Sequence, residues 1–369
     1  MTLRPGAAEA RFGRAGAALA AVGLLAACAG TPAPDAPAAP PDPPAGPQSP
    51  LRVRPSAPDL GDCIATPIAG AGTAVGVLTF EGGFELTGLR SRFGGLSGLE
   101  ALDENTLLAV SDEGALVEIA LGRDDEGAPT AHCRFRDLLD AAGEPLAGKA
   151  RADAEGLALL APDRIAVSFE RAHRVAFFHL GETIQEDGEA LGFAGAPSLE
   201  DNLGIEALAL LPSGELLAGA ESPTVLLRPH PVWRLAPTDD PARPFGPRGA
   251  AAFEIASEPG FGLVGFDATP RGNVLALERF YAEGIGTRIR ISWLPRAEVA
   301  GERLLRGLDL ARLSPGEMLA VDNFEGITAL DAGGGRTTIW IVSDDNFSAS
   351  QKTLLYRFSF EEEAFDGGG

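Results

Sequence analysis

The sequence predicts an all-β chain folded as a β-propeller. Three observations carry that expectation. A short apolar phrase holding one acid recurs five times. Each copy is followed by the same succession of turn, strand, acid and strand. Gly (47 residues) and Pro (29) are frequent enough to interrupt long helices and to favour short strands joined by turns.

In chain order, residues 1–27 read as an export signal. Arg4, Arg11 and Arg14 form a positive start, and Ala15 to Ala27 is an apolar stretch too short to span a bilayer. The stretch ends Leu25-Ala26-Ala27-Cys28, a lipobox pattern in which the Cys28 thiol receives a diacylglycerol and becomes the acylated N-terminus. No twin-Arg pair precedes the stretch, so the general secretory route is expected. Ala29, rather than Asp, follows the cysteine. By similarity to lipoproteins of Gram-negative bacteria, this implies an outer-membrane anchor facing the periplasm. Residues 28–58 are rich in Pro and Ala and hold few large apolar side chains, as in an extended tether. Residues 59–369 form the folded domain. With a formal charge of −22, the chain is no candidate for nucleic acid, which demands clustered basic residues. Cys63 and Cys133 are the cysteines left in the body, and export would permit a disulfide between them.

The phrases run Gly98-Leu99-Glu100-Ala101-Leu102, Ala154-Glu155-Gly156-Leu157-Ala158-Leu159, Gly204-Ile205-Glu206-Ala207-Leu208, Gly265-Phe266-Asp267-Ala268 and Phe324-Glu325-Gly326-Ile327. A turn follows each, then strands at Leu107–Val110, Ile165–Ser168, Leu216–Ala218, Val274–Leu277 and Thr338–Val342. A second acid closes each strand: Asp112, Glu170, Glu221, Glu278 and Asp344. Third strands are expected at Leu116–Leu121, Val175–Leu180, Ile289–Leu294 and Leu354–Phe360. This is the sequence of a propeller blade, whose small antiparallel sheet is buried only against its neighbours. Six blades are expected, the sixth built from Gly76–Leu89 with the C-terminal strands. Five and seven are the alternatives.

These phrases, with the closing Ser343-Asp344-Asp345-Asn346-Phe347, resemble the phytase-like family, whose bacterial members carry the label "esterase-like activity of phytase". The resemblance covers roughly residues 75 to 360 and implies a six-bladed propeller in an exported bacterial protein. It also implies that calcium sits at one end of the channel, as in calcium-dependent propeller esterases, lactonases and phytases. Asp153-Ala154-Glu155-Gly156 matches only part of the acidic cluster of established propeller phytases, which argues against phytate itself as substrate.

Equivalent residues of successive blades ring the channel. Glu100, Glu155, Glu206, Asp267 and Glu325 are therefore the candidate metal ligands, and Asp112, Glu170, Glu221, Glu278 and Asp344 a possible second ring. Converging carboxylates repel unless a cation, an Arg or a shared proton offsets the charge. Calcium accepts six to eight oxygens in flexible geometry, and Asn202, Asn323 and Asn346 could add neutral ones. Alternatively, each acid simply receives backbone N–H groups of the next blade. Arg171 and Arg279 directly follow second-ring acids, either to bind an anion or to pair with the carboxylates. Arg174, Arg234, Arg290 and Arg357 recur in the third strands. No GxSxG, P-loop or dinucleotide fingerprint occurs. Two functions follow: a calcium-assisted hydrolase of an ester or phosphoester in the cell envelope, or a non-catalytic lipoprotein that binds a ligand or an envelope protein.

Overall fold

The computed structural model describes residues 62–89, 91–193, 203–223, 227–247, 249–301 and 304–366. The signal, Cys28, the tether and Asn202 lie outside the described residues. At the N-terminal side come β1 (Cys63–Ile68), β2 (Thr73–Val75) and β3 (Leu78–Gly88). Blade 1 is β4 (Leu96–Asp103), β5 (Thr106–Ser111), β6 (Ala115–Arg123) and β7 (Pro129–Leu139). A helical turn, α1 (Lys149–Ala152), leads into blade 2: β8 (Ala154–Ala161), β9 (Arg164–Phe169), β10 (Arg174–Leu180), β11 (Ile184–Glu186) and β12 (Leu191–Gly192). Blade 3 is β13 (Ile205–Leu210), β14 (Leu216–Ala220), β15 (His230–Leu235) and β16 (Phe253–Ile255). Blade 4 is β17 (Phe261–Ala268), β18 (Val274–Ala282) and β19 (Gly286–Leu294). It is completed after α2 (Arg296–Val299) and β20 (Leu304–Leu305) by β21 (Leu308–Leu313). β20 reaches back to pair with β16. Blade 5 is β22 (Asn323–Gly333), β23 (Arg336–Asp344) and β24 (Thr353–Phe360), with β3 as its fourth strand; α3 (Glu363–Asp366) follows.

The inner strands β4, β8, β13, β17 and β22 pack in turn, and β22 returns to β4. The ring among the described residues thus has five blades rather than the six expected. The segment Gly76–Leu89 does not build a blade with its own inner strand. Its β3 pairs with β24 and supplies the outer strand that the last phrase lacks. Five apolar layers fill the gaps between blades. One layer sets Leu99 and Leu107 against Trp340 and Val342, and another sets Leu275 and Ile289 against Ile341 and Tyr356. The other three layers lie between blades 1 and 2, 2 and 3, and 3 and 4. Each large side chain removed from water contributes on the order of 1.5–3 kcal/mol. An isolated blade has no such layer, so the fold depends on closure.

Closure is reinforced covalently. Cys63 of β1 and Cys133 of β7 form a disulfide, with Cα atoms 5.4 Å apart. Beside it, the Asp62 carboxylate accepts the Phe135 N–H at 2.7 Å. The bond therefore staples the outer edge of blade 5 to the outer strand of blade 1, across the junction between those two blades. No helix among the described residues is long and apolar enough to cross a membrane.

Candidate metal and anion-charge centre at the channel mouth

Strand register decides which residues are equivalent. Near the start of every inner strand the ladder slips: between Leu96 and Leu99, Ala154 and Leu157, Ile205 and Ala207, Leu263 and Gly265, and Phe324 and Gly326. Each slip is a β-bulge, which inserts a residue and re-aims its side chain. The bulged positions are Ser97, Glu155, Glu206, Val264 and Glu325. Glycine follows several of them because the next inner strand passes closely. A Cβ on Gly326 would lie 2.2 Å from the Ser97 carbonyl oxygen.

The five phrase acids accordingly do not form one ring. Glu155, Glu206 and Glu325 share the bulge position, where blades 1 and 4 carry Ser97 and Val264. Glu100 and Asp267 stand three residues further along, roughly 10 Å down the strand, level with Ala158, Ala209 and Thr328. There they join blades together. The Glu100 carboxylate accepts the Leu159 N–H of blade 2 at 3.0 Å. Asp267 accepts the Thr328 hydroxyl at 2.9 Å and the Ala329 N–H at 2.7 Å, both of blade 5. The Thr328 hydroxyl oxygen accepts the Ala101 N–H of blade 1 at 3.1 Å. Burial, and for Glu100 also the nearness of Asp267, raises both pKa values, that of Asp267 to about 7.

The second ring needs one correction as well. Ladder pairing makes Asp112, Glu170, Glu221 and Asp344 equivalent to Arg279, not to Glu278. Glu278 faces the blade interior, fully buried, where it pairs with Arg290 and accepts the Ser292 hydroxyl at 3.2 Å. The mouth is therefore acidic except on blade 4, which presents a cation.

At the mouth the bulge glutamates meet the second-ring acids. Acceptor oxygens of Asp153, Glu155 and Glu170 lie within 4.8 Å of one another. Glu206 accepts the Gly204 N–H at 2.9 Å. Glu325 accepts Arg279 at 2.5 Å, Asn323 Nδ2 at 3.0 Å and the Ser97 hydroxyl at 3.2 Å. Asp344 accepts the Asn346 N–H at 2.6 Å. Arg171 donates to Asp153 at 2.7 Å. Lys149 bridges Asp112 at 2.8 Å and Asp153 at 3.3 Å. Arg171 and Arg279, considered as anion binders, are thus both engaged by carboxylates. Arg174 packs over Phe169, 4.0 Å from the ring centre.

These cations do not offset the crowd. Burial first, then Glu206, Glu325, Glu170 and Asp153, push Glu155 well above the usual carboxylate range. Burial and Glu221 do the same to Glu206. Burial and Asp153 raise Glu170 to about 7. Burial raises Glu221 to about 6 against the lowering effect of Arg279. Burial and Glu325 raise Asp344 to about 8. Asp112 Oδ1 is buried without a hydrogen-bond partner among the described residues. This is an arrangement that holds protons or a cation.

Backbone strain gathers at the same end. His173, Leu227, Asn346 and Phe347 have φ values of 43–50°, and all lie in loops that leave the second strands at the mouth. Gly95 shows the crowding: its φ is 61°, and a Cβ would lie 2.2 Å from Asp112 Oδ1 and 2.7 Å from the Phe347 ring. The Gly-rich run Phe93–Gly98 is the seat of Phe347. Lys149 is the mouth residue that sequence reasoning missed. Its signal was its rarity, since only Lys149 and Lys352 are lysines.

A family model described as phytase-like, esterase-like activity of phytase, matches residues 91–347. No curated protein matches the chain. Among solved structures, a gluconolactonase from Xanthomonas campestris is 16% identical, with 84% of this chain and 99% of that one covered and a TM-score of 0.37. The PQQ-bound aldose sugar dehydrogenase from Streptomyces coelicolor is 13% identical, covers 78% and 100%, and has a TM-score of 0.39. The calcium structure of the family AA12 enzyme from Trichoderma reesei is 10% identical, covers 81% and 93%, and has a TM-score of 0.39. Likeness at this level carries no argument about the site.

Proposed function

The chain belongs to the phytase-like family, and from that membership we propose that the acidic mouth is a calcium-dependent hydrolytic site for an ester or phosphoester in the cell envelope. One observation carries the reading: Asp153, Glu155 and Glu170 bring three carboxylates within 4.8 Å, beside two further glutamates on the same bulge position. Those three residues would hold the ion, with Asp112 nearby. A bound divalent cation polarises a carbonyl or phosphoryl oxygen and lowers the pKa of a water. The remaining groups have separate tasks. Arg279 and Asn323 hold Glu325 in place. Glu206, one oxygen fixed by the Gly204 N–H and its pKa pushed up by burial and Glu221, is the candidate general acid. The proposal includes anchoring through an acylated Cys28.

The test is metal analysis of the purified protein with turnover of p-nitrophenyl acetate and p-nitrophenyl phosphate, in calcium and in chelator. Calcium-dependent turnover of either ester, lost in Glu155→Gln, is expected. The non-catalytic reading draws support from Glu100 and Asp267, whose carboxylates serve the joints between blades. Absence of both metal and turnover would leave that reading standing.

A further inference from the structure

At the opposite end of the ring three arginines gather in one place. Between the inner hairpin turns of blades 3 and 4 lies a cavity of about 610 Å³. Its walls include Pro212, Pro270 and Val299, and its polar groups include Arg234, Arg271 and Arg296. In a chain of net charge −22, three arginines line this cavity, and Glu215 is the carboxylate among the lining residues.

That carboxylate does not satisfy Arg234. Glu215 Oε1 is 3.9 Å from Arg234 Nε, beyond hydrogen-bond reach. Arg234 Nε is buried without a hydrogen-bond partner among the described residues, while Nη2 of the same fork donates to the Val299 carbonyl. Arg296 donates from Nη1 to the Arg271 carbonyl at 3.2 Å and has no carboxylate partner among the described residues. Its backbone is fixed, because Asn273 Oδ1 accepts the Arg296 N–H at 2.9 Å. The cavity is thus built from two proline-bearing turns and a fixed helix start, and the Val299 carbonyl holds the Arg234 guanidinium in place.

An unmatched guanidinium partly out of water is costly, and a planar anion offsets that cost through paired charge-assisted hydrogen bonds. The apolar walls suit a hydrocarbon body. We propose that this cavity binds a small organic anion, a carboxylate or phosphate carried on an apolar group, with Arg234 and Arg296 on the anionic head. The site is separate from the acidic mouth and does not rest on the hydrolase reading.

Calorimetric titration of the purified protein with phenyl phosphate, benzoate and phenol tests it. Phenyl phosphate or benzoate should bind and phenol should not; the stronger of the two identifies the head group. Arg296→Glu should weaken binding at least about ten-fold, the scale of one charge-assisted hydrogen bond. Ala300→Trp, which fills the cavity rim but keeps every arginine, should abolish it. Excess chelator should leave it unchanged. No binding of either anion up to about 10 mM, binding indifferent to both substitutions, or phenol binding as well as its phosphate ester would overturn the proposal.

Discussion

Glu155 carries a charge that its surroundings oppose. Burial and four neighbouring acids favour its protonated form, and Glu206 is in the same position. The sign of the linkage follows. A carboxyl whose pKa is higher folded than unfolded contributes stability that is complete below its unfolded value and is lost as pH rises through its folded one. Here the folded values run from about 6 for Glu221 through about 7 for Glu170 to about 8 for Asp344. Chelated protein should therefore melt higher at pH 5 than at pH 8.5. Calcium competes with those protons, so its stabilising effect should be larger at pH 8.5. At a hundred times its dissociation constant it would add about 2.7 kcal/mol. Glu155→Gln and Glu206→Gln should each raise the melting temperature in chelator and shrink the calcium response. Melting temperatures identical in calcium and chelator at both pH values would rule the ion out.

At the level of the strand, the bulge is what makes a site. An unbulged inner strand would carry Glu155, Glu206 and Glu325 in ordinary alternation, and the extra residue turns them to the channel. The same strands carry a second device three residues on. Glu100, Asp267 and Thr328 each accept an N–H from the following blade. Glu100→Ala leaves the Leu159 N–H without its acceptor and should cost about 1–3 kcal/mol in urea unfolding, equally with and without calcium. Glu100→Gln keeps an acceptor and should cost less. A calcium-dependent loss in Glu100→Ala would instead assign Glu100 to the metal. The two devices look alike in sequence because each is an acid within a short apolar phrase beside a glycine. A shift of one bulge or three residues changes the layer an acid occupies, and only cross-strand pairing reveals it. Glu278 and Arg279 repeat the lesson: one residue separates a buried ion pair from the mouth.

The whole molecule is a closed ring whose last blade is shared by the two ends of the domain, through β3 and β24. The Cys63–Cys133 bridge joins β1, on the outer edge of that blade, to β7 of blade 1 and so holds the N-terminal strands beside the seam. Replacing both cysteines by Ser should lower stability by about 2–5 kcal/mol. A larger gain in proteolysis near β1 and β3 than elsewhere would place the loss at the N-terminal strands, and unchanged unfolding in reductant would show that the bond carries nothing. The proposed membrane attachment belongs to the same scale. Cys28→Ser should release the protein from membranes with its melting temperature unchanged, and wild-type protein wholly in the soluble fraction, without acyl chains, would contradict the anchor.

The sequence alone determined the all-β class, the repeat, the hairpins after each phrase, and which acids belong to the repeat, because alternation and turn chemistry are local. It also held the pair of cysteines that bond. Tertiary structure alone decided that five blades close the ring, since a shared blade has no local signature. It decided that Glu155, Glu206 and Glu325 converge while Glu100 and Asp267 lock blades. It placed Arg279 opposite the acids and gathered Arg234, Arg271 and Arg296 at the far end. Those outcomes depend on register and on neighbours some fifty residues away in the chain, and charge acts through space whatever the sequence separation.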